Sequence, residues 1–130
     1  MQKIIHQIPP VWNSESQVLI LGTMPSPKSR EAGFFYMHPQ NRFWKVLPAV
    51  FGESLLYPNN FPDRQAAISE RRDFLIRHHI ALWDVIGSCD IEGSSDSSIR
   101  NVSPNELGTI LERADIRQIY VNVQTAYKYY

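Results

Sequence analysis

The sequence predicts an α/β fold: a three-layer α/β/α sandwich with a short, mostly parallel central sheet, cut short at its C-terminus. Three observations predict it. Residues 17–22 (QVLILG) and 80–86 (IALWDVI) are short apolar runs of the kind buried on both faces of a parallel sheet, and 117–122 (RQIYVN) reads as a third strand. Stretches of helical periodicity lie between them. The last residues, 125–130, begin a further helix that ends after about one turn with no cap, as though a strand–helix unit had been divided.

In chain order, residues 1–16 read as an irregular lead-in because Pro9-Pro10 forbids regular structure, with Trp12 packing the arm on the body. Residues 23–37 form a long loop punctuated by Pro25, Pro27 and Gly33, at the carboxyl end of the first strand where open α/β sheets place ligand sites. From Gln40 the apolar residues Phe43, Trp44, Val46, Leu47, Val50 and Phe51 recur at helical spacing, and Gly52 supplies a stop. Asn41 and Arg42 therefore stand in the first turn, where free N–H groups favour anions. A connector, 55–62, leads to Asp63, the predicted N-cap of a charged helix through about Arg77 that buries Ala67, Phe74 and Leu75. Its Glu70-Arg71-Arg72-Asp73 run reads as a solvated face. Asp84 is a carboxylate inside the second strand, so it must be paired or lie near the strand's exposed end. Residues 87–101 read as a second polar loop at the same sheet edge. Ser103-Pro104-Asn105-Glu106 has the form of a capping box before the stripe of Leu107, Ile110, Leu111 and Ala114.

Composition excludes several function classes. The 130 residues suit one domain, 1–130, with no repeat, linker or low-complexity segment. Net charge is zero, so any contact with nucleic acid must rest on a local basic edge. The single cysteine, Cys89, permits no internal disulfide and argues against a cysteine-held cluster, and it fits a reducing cytoplasm. The N-terminus lacks the apolar run of a signal peptide, and no stretch approaches a membrane span. The four histidines have no metal-ligand spacing, and His78-His79 reads as a surface helix end. There is no G-x-S-x-G elbow, P-loop or dinucleotide fingerprint.

What remains is residues 34–44 (FFYMHPQNRFW), where aromatics, a histidine, an amide and a guanidinium crowd a loop entering a helix. Aromatic faces can sandwich a planar base and an amide can read its edge. Phe43 and Trp44 also suit the core. Lys28, Ser29 and Arg30 in the preceding loop are candidate phosphate contacts, as are the Ser and Asn side chains of the second loop.

Residues 19–26 (LILGTMPS) followed by 34–46 (FFYMHPQNRFWKV) resemble the first motif region of the uracil-DNA glycosylase superfamily. Its mismatch-specific branch has a similar H-P-x-N-R-F-W-K run after a G-x-N-P-G loop, and the hypoxanthine (deoxyinosine) DNA glycosylase branch is the closer match. That branch also has a second region resembling residues 82–89 with 93–101. The resemblance runs from about Val18 to the C-terminus. It implies a uracil-DNA glycosylase-like fold and base excision without metal or other cofactor: a deaminated base (hypoxanthine, or uracil or xanthine) is flipped from double- or single-stranded DNA and its N-glycosidic bond is hydrolysed. By the same resemblance, Asn41 of the H-P-x-N segment is the catalytic residue. Gly22, Thr23, Met24, Pro25, Phe35, Tyr36 and His38 form the base pocket. Tyr36 or Phe35 stacks on the base, His38 orients Asn41 or the loop, and Ser26, Lys28, Arg42, Ser95, Ser97 and Ser98 contact DNA.

Two departures qualify that pattern. Uracil-specific relatives carry Asp or Asn in the first loop where this chain has Thr23 or Met24, neither of which can act as that base or amide. The superfamily's second motif should follow residue 130. A second reading is therefore a catalytically silent, truncated nucleic-acid-binding paralogue or fragment, and a third is a binder of free nucleotides or nucleosides. Salt-dependent DNA binding without base release distinguishes the second.

Overall fold

The computed structural model describes residues 2–5, 8–22, 27–91 and 100–122. Its strands form two three-stranded sheets. The parallel sheet has the order β3-β2-β6: β2 (Val18–Gly22) lies between β3 (Ile80–Asp84) and β6 (Gln118–Val121). Val18 is in register with Ile80 on one side and Gln118 on the other, and Gly22 with Asp84. Alternation along β2 sends Ile20 to one face and Leu19 and Leu21 to the other. Ile20 joins Phe34, Phe35, Trp44, Phe74 and Leu82 in the larger core; Leu19 and Leu21 pack with Ala81, Val85, Ile110 and Ala114. Helices thus cover both faces, α2 (Phe43–Val50) and α3 (Arg64–Arg77) on one and α4 (Gly108–Arg113) on the other. This is the expected sandwich.

The antiparallel sheet corrects two expectations. β1 (Gln2–Ile5) replaces the irregular lead-in, because it finds an edge on β4 (Ile86–Ile91), with Ile4 opposite Cys89. The lead-in is tied down again where Val11 and Leu82 exchange backbone hydrogen bonds of 3.0 and 2.9 Å. β4 in turn pairs with β5 (Arg100–Pro104), so both ends of the expected second loop are strand, and residues 92–99 lie outside the described residues. The second strand accordingly ends at Asp84, and the chain changes sheets at Val85. Its N–H donates to Gly22 O at 2.8 Å, while Asn105 Nδ2 donates to the carbonyls of Asp84 and Ile86 at 2.8 and 3.1 Å.

Three local expectations also change. The first loop contains a helix, α1 (Pro27–Ala32): Pro27, read as a breaker, occupies the first helical position, where a missing N–H costs nothing. Gly33, at φ +78°, ends it, with its N–H on Ser29 O at 2.8 Å. The capping box does not form, because pairing with β4 takes Ser103 and Pro104 into β5. Glu106 instead accepts from the Gly108 N–H at 2.6 Å, and α4 starts two residues beyond it. Leu111 of the expected stripe is 44% exposed. Arg71 of the expected solvated run is only 1% exposed, whereas Arg72 and Asp73 do face solvent. The helix expected at 125–130 lies outside the described residues.

The start and end of α3 are well defined. Asp63 accepts from Ala66 N at 3.1 Å, the expected N-cap. His78 closes the helix; it stacks on Phe51 at 4.1 Å and meets Glu53 at 2.5 Å, while Arg77 reaches Glu53 at 3.2 Å. The hydrogen bond from Arg77, then that from His78, holds the Glu53 carboxyl below its ordinary range. A depressed acid stabilises the fold above the usual carboxylate range, and that stabilisation is lost as pH falls through the lowered value. Melting temperature measured against pH should therefore fall less steeply on the acid side in Glu53→Gln than in the wild type. Parallel acid limbs would show that the trio contributes nothing.

Candidate active site

The carboxyl edge of the parallel sheet and the start of α2 face one another across the segment 34–42. The segment is held from both ends. Ser29, itself 2% exposed, accepts from Met37 N at 2.9 Å, and Trp44 Nε1 donates to Phe35 O at 2.8 Å. Between these two bonds Tyr36 takes φ +56°, a left-handed conformation that bulky side chains avoid. The turn directs the Tyr36 ring against Phe43, stacked at 4.0 Å, and its hydroxyl under Gly22. That hydroxyl is buried and has no hydrogen-bond partner; Asn122 approaches it without meeting hydrogen-bond geometry. Burial foremost, and the charge of Asp84 second, push the phenol well above its ordinary value, so Tyr36 stays a neutral donor.

Gly22 is where three strand ends meet. A Cβ at this position would lie 2.4 Å from Asp84 Oδ1 and 2.7 Å from Tyr36 Oη. Glycine is required there for space, not for backbone freedom. Asp84, 3% exposed, is the strand-end carboxylate that the sequence anticipated.

Asn41 stands just before α2. Its N–H donates to His38 O at 2.9 Å, closing the H-P-Q-N turn, and its Oδ1 accepts from Phe43 N at 2.8 Å, an Asx turn that satisfies one of the helix's free donors. Its Nδ2 has no partner among the described residues. His38 Nδ1 accepts from Gln40 N at 3.1 Å, so the neutral ring carries its proton on Nε2. Asn41 lines two clefts. One, of about 510 Å³, opens between α2 and β6 and includes Ile20, Phe43, Tyr120 and Asn122. The other, of about 330 Å³, includes Pro39, Lys45, Tyr57 and Asn59. Both fall in the size range of ligand sites. Arg42 and Lys45 are exposed cations beside this ridge, suited to phosphate.

The structure thus gathers Gly22, Tyr36, His38, Asn41 and Arg42 along one edge. Phe35 is placed elsewhere: 2% exposed, it meets Phe34 edge-on in the core. Thr23, Met24, Pro25, Ser26, Ser95, Ser97, Ser98 and the Lys28 side chain lie outside the described residues. Asn59, Arg71 and Asn122 join the site without a signal in the sequence, since each sits in an ordinary connector, helix or strand end. Among the described residues no group of three or more His, Cys, Asp or Glu could hold a metal ion, and no helix is long and apolar enough to cross a membrane.

No protein-family model matches the chain. A hypoxanthine DNA glycosylase of Methanosarcina barkeri is 32% identical over 106 residues, covering 82% of this chain and 62% of that relative. A hypoxanthine DNA glycosylase of Methanosarcina acetivorans is 30% identical over 122 residues, covering 93% of this chain and 72% of the relative. A solution NMR structure of a candidate uracil DNA glycosylase from Methanosarcina acetivorans has a TM-score of 0.79 at 29% identity, over 98% of this chain and 74% of that one. The chain therefore spans less than two thirds of the length of the first relative.

Proposed function

Because the chain belongs to the hypoxanthine DNA glycosylase family of the uracil-DNA glycosylase superfamily, we propose that it excises a deaminated base from DNA, hypoxanthine first, with uracil and xanthine as further candidates. The observation that carries this reading is Asn41: an amide on the ridge between two clefts, with Oδ1 tied to the helix and Nδ2 uncommitted. The reaction is hydrolysis. Water oxygen bonds to C1′ as the N-glycosidic bond breaks, the bonding pair leaves with the base, and the water's protons end on the departing base and the new hydroxyl. Charge develops on the base as it leaves, so a fixed donor on its edge lowers the barrier. Asn41 Nδ2 supplies that donor, Tyr36 with Phe43 forms the aromatic wall, and Arg42 and Lys45 take flanking phosphates. The substrate is double- or single-stranded DNA, the enzyme monofunctional, and no metal or other cofactor is invoked. A cytoplasmic setting fits the lone Cys89.

The test is single-turnover base release from duplexes carrying one deoxyinosine or one deoxyuridine, read as alkali-induced scission at the abasic site. Asn41→Ala should slow release by about 10²–10³-fold, the usual cost of one transition-state donor, with the Kd for DNA changed only a few-fold. Unchanged release would remove Asn41 from the mechanism. Thr23 and Met24, standing where uracil-specific relatives carry Asp or Asn, favour a second reading, a silent DNA-binding chain. Salt-dependent binding with no release from the wild type would favour that one.

A further inference from the structure

We propose that Asn59 and Arg71 are a positioning pair that sets the aim of Asn41, an inference that rests on the glycosylase reading above. Arg71 is 1% exposed, with its guanidinium over the Trp44 ring at 5.5 Å. A buried cation is costly unless its donors are used. Nη1 donates to Ala67 O at 3.1 Å, and Nη2 donates to Tyr57 O and to Asn59 Oδ1, both at 2.9 Å. The last bond decides which way the Asn59 amide faces: with Oδ1 on the guanidinium, Nδ2 must point away. It points at the H-P-Q-N turn, donating to His38 O at 2.8 Å and Asn41 O at 3.2 Å, the carbonyls of the turn's first and last residues.

Anchoring the 55–62 connector does not require this reach. Glu70 already accepts from Leu56 N at 2.6 Å and Tyr57 N at 3.1 Å, and Arg71 holds Tyr57 O. The second half of the Asn59 amide is directed wholly to the segment that carries Asn41. Asn59 touches no reacting atom; it acts through the backbone of Asn41, fixing the plane from which Nδ2 projects.

Asn59→Asp separates these roles. The carboxylate still accepts from Arg71 but donates nothing to His38 O or Asn41 O. The expected result is a cooperatively folded protein whose single-turnover release rate falls about 10–100-fold, as for other supporting hydrogen bonds, with the Kd for DNA within a few-fold of wild type. Hydrogen exchange at the Phe43 amide, which is bonded to Asn41 Oδ1, should quicken. Wild-type release and unchanged exchange in this variant would overturn the proposal. In the wild type, the Asn59 side-chain amide protons should exchange more slowly than those of exposed Asn60; equal rates would overturn it without any variant. Absence of release from the wild type would instead count against the glycosylase reading, and the exchange measurements would still decide the positioning role.

Discussion

Gly22→Ala is expected to abolish base release while leaving a folded, weakened protein. The added methyl would sit 2.4 Å from Asp84 Oδ1 and 2.7 Å from Tyr36 Oη, and real carbon–oxygen contacts do not approach so closely. Neither neighbour has an easy way out. Asp84 is 3% exposed at the end of β3, and Tyr36 is fixed in its left-handed turn between the bonds to Phe35 O and Met37 N. Overpacking of this kind costs roughly 1–3 kcal/mol, and the displaced Tyr36 ring would carry Phe43 with it. The measurement is denaturant unfolding together with single-turnover release. Adding Tyr36→Phe removes the conflict with the hydroxyl, the more distant of the two oxygens, so the double variant should recover part of the stability. An alanine protein with native stability and release would mean that the three strand ends tolerate far more space than their geometry indicates.

Trp44→Ala is expected to cost about 3–5 kcal/mol, the range for truncating a buried large aromatic. Trp44 is 3% exposed, stacks on Phe34 with centroids 5.9 Å apart, meets Phe43 edge-on at 4.8 Å and lies under Arg71. Its loss would open a cavity between the sheet and α3 and leave Phe35 O without its donor. Trp44→Phe tests the two contributions apart. It keeps most of the packing but removes the indole's hydrogen bond to the Phe35 carbonyl, at a cost of about 0.5–1.5 kcal/mol. Since that carbonyl belongs to the peptide that precedes Tyr36 N, the phenylalanine variant should also release the left-handed turn and slow base release. Full activity at lowered stability would limit Trp44 to packing.

How much of this could be read from residues varies by element in a physically consistent way. The parallel strands were legible because both their faces are buried, leaving apolar runs in the sequence; α3 was legible because its cap, Asp63, is local. The antiparallel sheet was not. β1 and β4 are of mixed polarity, and what makes them strands is each other, although Gln2–Ile5 and Ile86–Ile91 lie far apart in the chain. Ser103–Glu106 satisfies a local capping rule that long-range pairing overrides. Asn41 reads from the sequence as a first-turn residue, but α2 begins two residues later, at Phe43, and Asn41 meets it only through its Oδ1, which accepts from the Phe43 N–H. The left-handed Tyr36 was not legible, because nothing about tyrosine suggests it. Arg71 was misplaced for a related reason: in a run of charges, only the phase of the helix decides which one points inward.

The central strand has a further consequence, and it is kinetic. β2 appears early in the chain, yet its two partners, β3 and β6, begin at Ile80 and Gln118. During synthesis its apolar edges wait for most of the chain to be made, and the ends of very long loops must be brought together before any parallel pair forms. The α1–α2–α3 side can assemble from neighbours in sequence; the sheet cannot. Chain collapse should therefore precede strand pairing, with residues 18–22 the segment most exposed to wrong partners in the interval.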